Sequence, residues 1–586
     1  MFDPDRAIKS CDEDELRRCK YAKSLGKAIL NYKDDNSLVI SLQGKWGYGK
    51  TSIINMAIEH IDNLDQDENE AIVIQFNPWL FSNQNQLVKK FFDEFMVAIK
   101  DETITNKLKS YVNKLIPPIM GLAAIVDPSR AQALISVSEQ VDTQTEEESL
   151  ESIRDEINKL ILEKNCKIIV VIDDIDRLSD FEIRQIFQLV KLLADFPKTI
   201  YLLSFDKEIV VKALDEIQES SGEKFLEKVI QIPFEVPKIN NADIERLLFN
   251  HLNELIEELK DEFDLTYWGN IYHSGFKYFF KNIRDVKRYI NALKFNLEII
   301  KDEINPVDFI TIIAIQIFVN KLYQDIRNNK DLFAGVIDYV DSRSFQSRKE
   351  QDLTIYNGII ENSESPINDK QLKELLMYMF PKLNTIYGRT TYPNEYLPIW
   401  RKEARICSPD HFYTYFELSI PKDEISPSEI KALISLSNDF EQFSDELLKL
   451  NEEKRINRFL ERFEDYTQEV PEENIGNIIN VLMDVGDKFI NIPTSLMALD
   501  TPMKVGRIIY QLIWRIDNRD KRFEILKNAI EQSKNSIYTS VQEVAIEDQV
   551  HGKYGLAELP EPEEKWKVGS DQLVELEKIV CEKINE

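Results

Sequence analysis

Eight consecutive residues, Gly44-Lys45-Trp46-Gly47-Tyr48-Gly49-Lys50-Thr51, fit the spacing G-x-x-x-x-G-K-[ST]. Glycines at these places let the backbone turn sharply and bring N–H groups close to phosphate oxygens. A helix starting at Thr51 points its positive end at the same spot. Lys50 would then reach the β- and γ-phosphates and the Thr51 hydroxyl would meet Mg²⁺. Trp46, Tyr48 and Ser52 complete the predicted nucleotide-binding set. The segment predicts binding of a nucleoside triphosphate, read as ATP with Mg²⁺, although nothing in it separates ATP from GTP. A chance match is the alternative, and the strand-loop-helix context described below argues against it.

A second group suits the same chemistry. The apolar run Ile168–Ile172 ends in Asp173-Asp174-Ile175-Asp176-Arg177. A buried strand ending in carboxylates delivers them to the carboxyl edge of a parallel sheet, where a phosphate loop also lies. Asp173 is expected to hold Mg²⁺, directly or through water, and Asp174 to orient or deprotonate the attacking water. Asp176 and Arg177 either pair with each other or brace the site. At Ser204-Phe205-Asp206 a polar residue either senses the γ-phosphate or, as Asp206, caps the following helix. Arg284 and Arg288, four residues apart, share a helix face from which one could reach the phosphates, with surface ion pairs as the alternative. Lys224 and Lys228 read as surface lysines rather than contacts to a neighbour's nucleotide.

The elements that must position these residues follow from the pattern of apolar residues. Residues 38–42, 71–76, 167–172, 199–204 and 229–234 read as short buried strands. Helical patterns lie between them, with a capping box at Ser179 and Glu182. Alternating strands and helices predict a parallel sheet in a three-layer α/β core. One strand intervenes in sequence between the phosphate loop and the acidic strand, which suits NTPases of the additional-strand type. The core is expected at 1–237, with a helical insert at about 84–163 that contains a break at Pro117–Pro118. A helical lid is expected at 238–325 and a mainly helical partner or effector region at 326–586. The acidic tail from Val541 reads as solvated surface.

Composition bounds the rest. A chain of 586 residues predicts two to four domains. With 73 basic and 103 acidic residues the formal charge is 73 − 103 = −30, a field that opposes a general nucleic-acid surface. Cys11, Cys19, Cys166, Cys407 and Cys581 show no C-x-x-C pair and read as reduced thiols of a cytoplasmic protein. The five histidines form no metal pattern. No secretory signal opens the chain. The apolar runs Leu115–Val126 and Ile310–Val319 are shorter than the ~20 residues that cross a bilayer, so no membrane span is expected.

The chain resembles the KAP family of P-loop NTPases. The likeness rests on Asp5-Arg6-Ala7-Ile8, the LRRCKYAKSLGKAI helix, GKWGYGKTS, Phe76-Asn77-Pro78-Trp79, VVIDDIDRL, SFDKEIVVKAL, FLEKVIQIPF and NIRDVKRYIN, in order over residues 1–325. The resemblance implies an additional-strand core with a helical lid and kinship with switch-like ATPases. It also implies a link to phage-exclusion and defence proteins. Many members carry transmembrane helices between the phosphate loop and the acidic strand, and here that place holds only the short Leu115–Val126 run. The leading expectation is slow ATP hydrolysis driving a conformational switch read by a protein partner, with homo-oligomerisation open. The alternatives are a scaffold that binds ATP structurally and a nucleic-acid-associated ATPase.

Overall fold

The computed structural model describes residues 6–64, 71–80, 87–122, 150–215, 221–257, 263–337, 342–388, 390–419, 422–491, 500–553 and 560–585. Its five strands are β1 (Leu38–Gln43), β2 (Ile72–Phe76), β3 (Ile168–Ile172), β4 (Thr199–Phe205) and β5 (Ile232–Glu235). They form one parallel sheet in the order β2-β3-β4-β1-β5. Strand β4 therefore separates β1 from the acidic strand β3, and β2, the strand that intervenes in sequence, lies at the edge beyond β3.

Alternation along the strands explains the layering. Val170, Ile172, Tyr201, Leu203 and Phe205 face one core with Phe91, Phe92, Phe95 and Phe196. Ile169, Val171, Ile200 and Leu202 face the other, with Ile53, Ile54 and Ala57 from helix α2 (Lys50–Leu64) and Ala22, Leu25 and Ile29 from helix α1 (Cys19–Leu30). The three central strands are buried almost throughout, and edge strand β5 is mostly exposed. Pro233 sits in β5, where a missing N–H is tolerated.

The chain divides into two compact units, Met1–His251 with Phe280–Arg288, and Leu252–Phe279 with Tyr289–Glu586. The first holds the sheet. In the second every element is helical among the described residues. One of its cores runs from Ile425 to Val580 through Phe459, Ile479, Ile509 and Ile530. No described helix is long and apolar enough to cross a membrane.

Four expectations need correction. Helix Glu102–Leu122 continues through Pro117 and Pro118 instead of breaking there. Both prolines lie near its carboxyl end, so few turns depend on the two missing donors. Residues 123–126 and 146–148 lie outside the described residues. The fifth strand starts later than expected, because Val229 ends a helix, Gly222–Val229, and is buried there. Cys11 and Cys19 are not free thiols but form a disulfide, with Cα atoms 5.2 Å apart. A short turn at Cys11–Glu13 brings Cys11 back to the start of α1, which spacing alone does not reveal. The acidic tail is not all solvated. Glu543 and Glu547 are buried, and Glu543 meets the buried Lys567 at 2.8 Å.

Candidate nucleotide site

β1 ends at Gln43 and α2 begins at Lys50, so the loop between them sits at the carboxyl edge of the sheet. Gly47 and Gly49 have φ of +83° and +80°, a region costly for residues with a Cβ. A Cβ on Gly47 would also stand 3.0 Å from Asn282 Oδ1. Lys50 is 7% exposed, and its Nζ donates to the Gly44 carbonyl at 2.9 Å. The same Nζ lies 3.6 Å from Asp176. Thr51 Oγ1 donates to Asp173 Oδ2 at 2.7 Å, so the loop and the acidic strand meet at one point.

Asp174 follows in the left-handed region at φ +58°, and its N–H donates to Asp173 Oδ1 at 2.8 Å. Its own carboxylate lies 3.0 Å from Arg177 Nε. Burial pushes the Asp174 carboxyl above its ordinary value, the Asp173 charge adds to this, and Arg177 opposes it. Arg177 in turn stands 5.4 Å over the exposed ring of Trp79. Asp176 and Arg177 thus do not pair with each other: the short turn Ile175–Arg177 sends Asp176 to Lys50 and Arg177 to Asp174. Asp206 accepts the Glu208 N–H at 3.0 Å and caps the helix Lys207–Asp215.

A cavity of about 330 Å³ opens over the loop. Trp46, Gly47, Tyr48, Gly49, Lys50, Thr51 and Ser52 line it, together with Asp174, Arg177 and Arg284. Gly44 and Asp173 join it through their bonds to Lys50 and Thr51. The Arg284 guanidinium stacks 4.0 Å from the centre of the Trp46 ring. Arg288 is exposed and outside the cavity wall, as are Lys224 and Lys228. Ser52 Oγ accepts the Ile8 N–H at 3.3 Å, which ties the N-terminal segment to α2.

Ala7, Ile8 and Arg18 also line the cavity. Their part was not visible from spacing, although Ala7 and Ile8 lie inside the N-terminal pattern noted above. Thr51 and Asp173 offer two oxygens close together. Among the described residues no group of three His, Cys, Asp or Glu could hold a metal. This donor set fits Mg²⁺, which takes one or two protein oxygens and completes its octahedron with phosphate and water.

Residues 18–300 match the model of the KAP family P-loop domain, as the motifs had implied. The phage T7 exclusion protein of Escherichia coli (strain K12) is 22% identical to this chain over 284 residues. The match covers 44% of this chain and 38% of that protein, so the chain spans well under half of that relative's length. Among solved structures, the Aeropyrum pernix ORC2 protein in its ADPNP-ADP complexes aligns at 11% identity and TM-score 0.30, covering 66% of this chain and 97% of that one. The CDC6P of Pyrobaculum aerophilum aligns at 12% identity and TM-score 0.26, covering 69% and 89%.

Proposed function

We propose that this chain, with its KAP family P-loop domain at residues 18–300, binds Mg-ATP, hydrolyses it slowly and changes conformation with nucleotide state. The observation that carries the reading is the 2.7 Å bond between Thr51 and Asp173 beside a buried Lys50. When nucleotide enters, Lys50 exchanges the Gly44 carbonyl and Asp176 for phosphate oxygens. Thr51 and Asp173 would hold Mg²⁺, which supplies charge neutralisation at the β- and γ-phosphates. Asp174 is the candidate base for the attacking water, and it must first leave Arg177. That pairing supports slow turnover of the isolated protein.

Arg284, on the cavity wall, is the better placed of the two candidate arginines to meet phosphate charge. The region from 238 to 325 would act as the lid and the remainder to 586 as the part that selects a protein partner. The name of the Escherichia coli relative supports a role in phage exclusion. The test is titration of the purified protein with ATP, with and without Mg²⁺, alongside phosphate release. Binding that needs Mg²⁺ with turnover well below 10 s⁻¹, a value near the ordinary enzyme median of about 10 s⁻¹, is the expected result. Binding without any phosphate release favours the scaffold reading, and absence of binding rejects the assignment.

A further inference from the structure

Arg18 is 8% exposed and takes part in no ion pair among the described residues. Its Nη1 donates to the Tyr48 carbonyl and its Nη2 to the Pro237 carbonyl. Both hydrogen bonds go to carbonyls, and the Asp14 charge acts on the guanidinium without a direct ion pair, so burial still lowers its pKa and its position calls for a reason. The Tyr48 carbonyl and the Gly49 N–H belong to one planar trans peptide, in which they point in opposite directions. Holding that carbonyl on Arg18 fixes where the Gly49 N–H points, at a glycine whose φ is +80°. A Cβ added to Gly49 would stand 3.3 Å from Arg18 Nη1.

The next residue, Cys19, is joined to Cys11 by the disulfide. The segment it closes carries four residues that line the nucleotide cavity besides Arg18, namely Glu13, Asp14, Glu15 and Leu16. The Cys11 N–H anchors it to Glu59 of α2 at 2.9 Å, and within the segment the Cys19 N–H donates to Asp14 at 2.6 Å. Just upstream, the Asn55 amide of α2 donates to the Ile8 carbonyl at 2.9 Å.

We propose that Arg18 is a positioning residue for the phosphate loop, held in place by the Cys11–Cys19 disulfide, so that opening the disulfide weakens nucleotide binding. The proposal rests on the nucleotide site assigned above and adds a redox dependence to it. A dithiol reductant opens the bond in two exchanges. Its thiolate attacks one sulfur, the Cys11–Cys19 bond breaks, and a mixed disulfide forms; its second thiol then displaces the protein sulfur. The protein gains two thiols and two electrons, and the reductant leaves as its own disulfide. Freed of the link, residues 11–19 regain chain entropy and Arg18 loses its fixed approach to Tyr48.

The test is equilibrium titration of the full chain with a fluorescent ATP analogue, oxidised, after dithiothreitol, and after reoxidation. Reduction is expected to weaken affinity about tenfold and reoxidation to restore it, the size of one charged hydrogen bond. Arg18→Gln should weaken it to a similar extent, and reduction of that variant should add less than about twofold, because both remove one brace. Equal affinities of the oxidised and reduced parent overturn the proposal. A full tenfold effect of reduction in Arg18→Gln overturns it too, as does a protein whose Cys11 and Cys19 stay alkylatable after treatment with oxidised glutathione. If Arg18→Gln does not fold, reversible reduction of the parent carries the test alone. Lys50→Ala separates the two claims. Loss of binding there with no redox effect in the parent rejects the brace and keeps the site, whereas unchanged binding there rejects the site itself.

Discussion

In the second unit Arg405 donates Nε–H to Asp308 at 2.6 Å, and Asp308 also takes the Ile406 N–H at 3.0 Å and the Tyr267 hydroxyl. Lys504 meets Glu461 at 2.7 Å and Lys567 meets Glu543 at 2.8 Å. In the first unit the buried cations are held more loosely. Lys50 stands 3.6 Å from Asp176 and leans on a carbonyl, and Arg18 hydrogen-bonds two carbonyls with the Asp14 charge nearby. A buried charge must be compensated, and tight pairing does so at once. At Lys50 the looser arrangement leaves charge available to an incoming anion, while the Arg18 guanidinium stays on the loop carbonyl. Loose holding is not enough by itself, because among the described residues Arg522 of the second unit is also buried with only the Trp566 carbonyl at 3.5 Å and the Trp514 ring; what sets Lys50 apart is its place on the cavity wall.

The largest effect should appear where the chemistry is assigned. Asp174→Ala is expected to lower ATP turnover by about 10²–10⁴-fold, the usual contribution of a positioned base. ATP affinity should stay within about threefold, because Asp174 is not among the groups expected to hold phosphate. Single-turnover kinetics beside a binding titration check both halves. Turnover that survives the substitution would move the base elsewhere.

Arg405→Ala should cost the second unit about 3–5 kcal/mol, since it leaves the buried Asp308 carboxylate without its counter-ion. Denaturant unfolding measures this, and the nucleotide affinity of the folded fraction should not change. Acid should single out the same unit. Burial, aided by Arg462 and opposed by Asp410, pushes His411 down to about 4 from its ordinary 6.5. The unfolded chain therefore takes up a proton before the folded one does. Stability tied to this residue is complete above pH 6.5 and falls as pH drops from 6.5 to 4, by roughly 3 kcal/mol. His411→Gln should flatten that part of the stability–pH curve, and an unchanged slope would show that His411 is solvated.

Lys50→Ala reverses the pattern seen with Arg405. ATP binding should weaken about a hundredfold or more, which corresponds to roughly 2.7 kcal/mol. Melting without nucleotide should fall less than in Arg405→Ala, because the lysine gives up one carbonyl bond and a long ion pair, 3.6 Å, with the buried Asp176. If Lys50→Ala instead melts far lower and Arg405→Ala does not, the distinction between loosely and tightly held cations fails.

How far the sequence disclosed this arrangement depended on the kind of signal. Strands β1, β3 and β4 were legible because a strand buried on both faces is a short run of Ile, Val and Leu. The meeting of Thr51 and Asp173 was legible because the loop after β1 and the carboxylates after β3 lie at one edge of the sheet. The capping box was legible too, with the Glu182 carboxylate accepting the Ser179 N–H at 3.0 Å. Arg18 was not, since an arginine at a helix start carries no period or spacing, and its partners Tyr48 and Pro237 are far away in sequence. The Cys11–Cys19 link was hidden for the same reason, because it depends on a turn. Asp176 and Arg177 were placed in the site with their pairing left open, because one tight turn decides which way each side chain leaves the backbone. The tail misled through composition: an excess of acidic residues says nothing of Glu543 meeting a lysine inside the fold.

The smallest effect concerns Arg284, where the two ways of holding a cation meet in one residue. Its guanidinium rests on the half-exposed ring of Trp46 at 4.0 Å, a contact worth about 0.5–1 kcal/mol at an exposed site. If Arg284 leaves Trp46 when a γ-phosphate is present, Arg284→Ala should weaken ATP binding by about two- to fivefold and leave ADP binding unchanged. Arg288→Ala, outside the cavity wall, should alter neither. The intrinsic fluorescence of Trp46 gives a second reading: it should change on adding ATP to the parent, and change less in Arg284→Ala. Equal losses for ATP and ADP would make Arg284 a packing partner of the loop. A larger effect from Arg288→Ala would hand it the phosphate-sensing role and show that a cation on the cavity wall can belong to the fold after all.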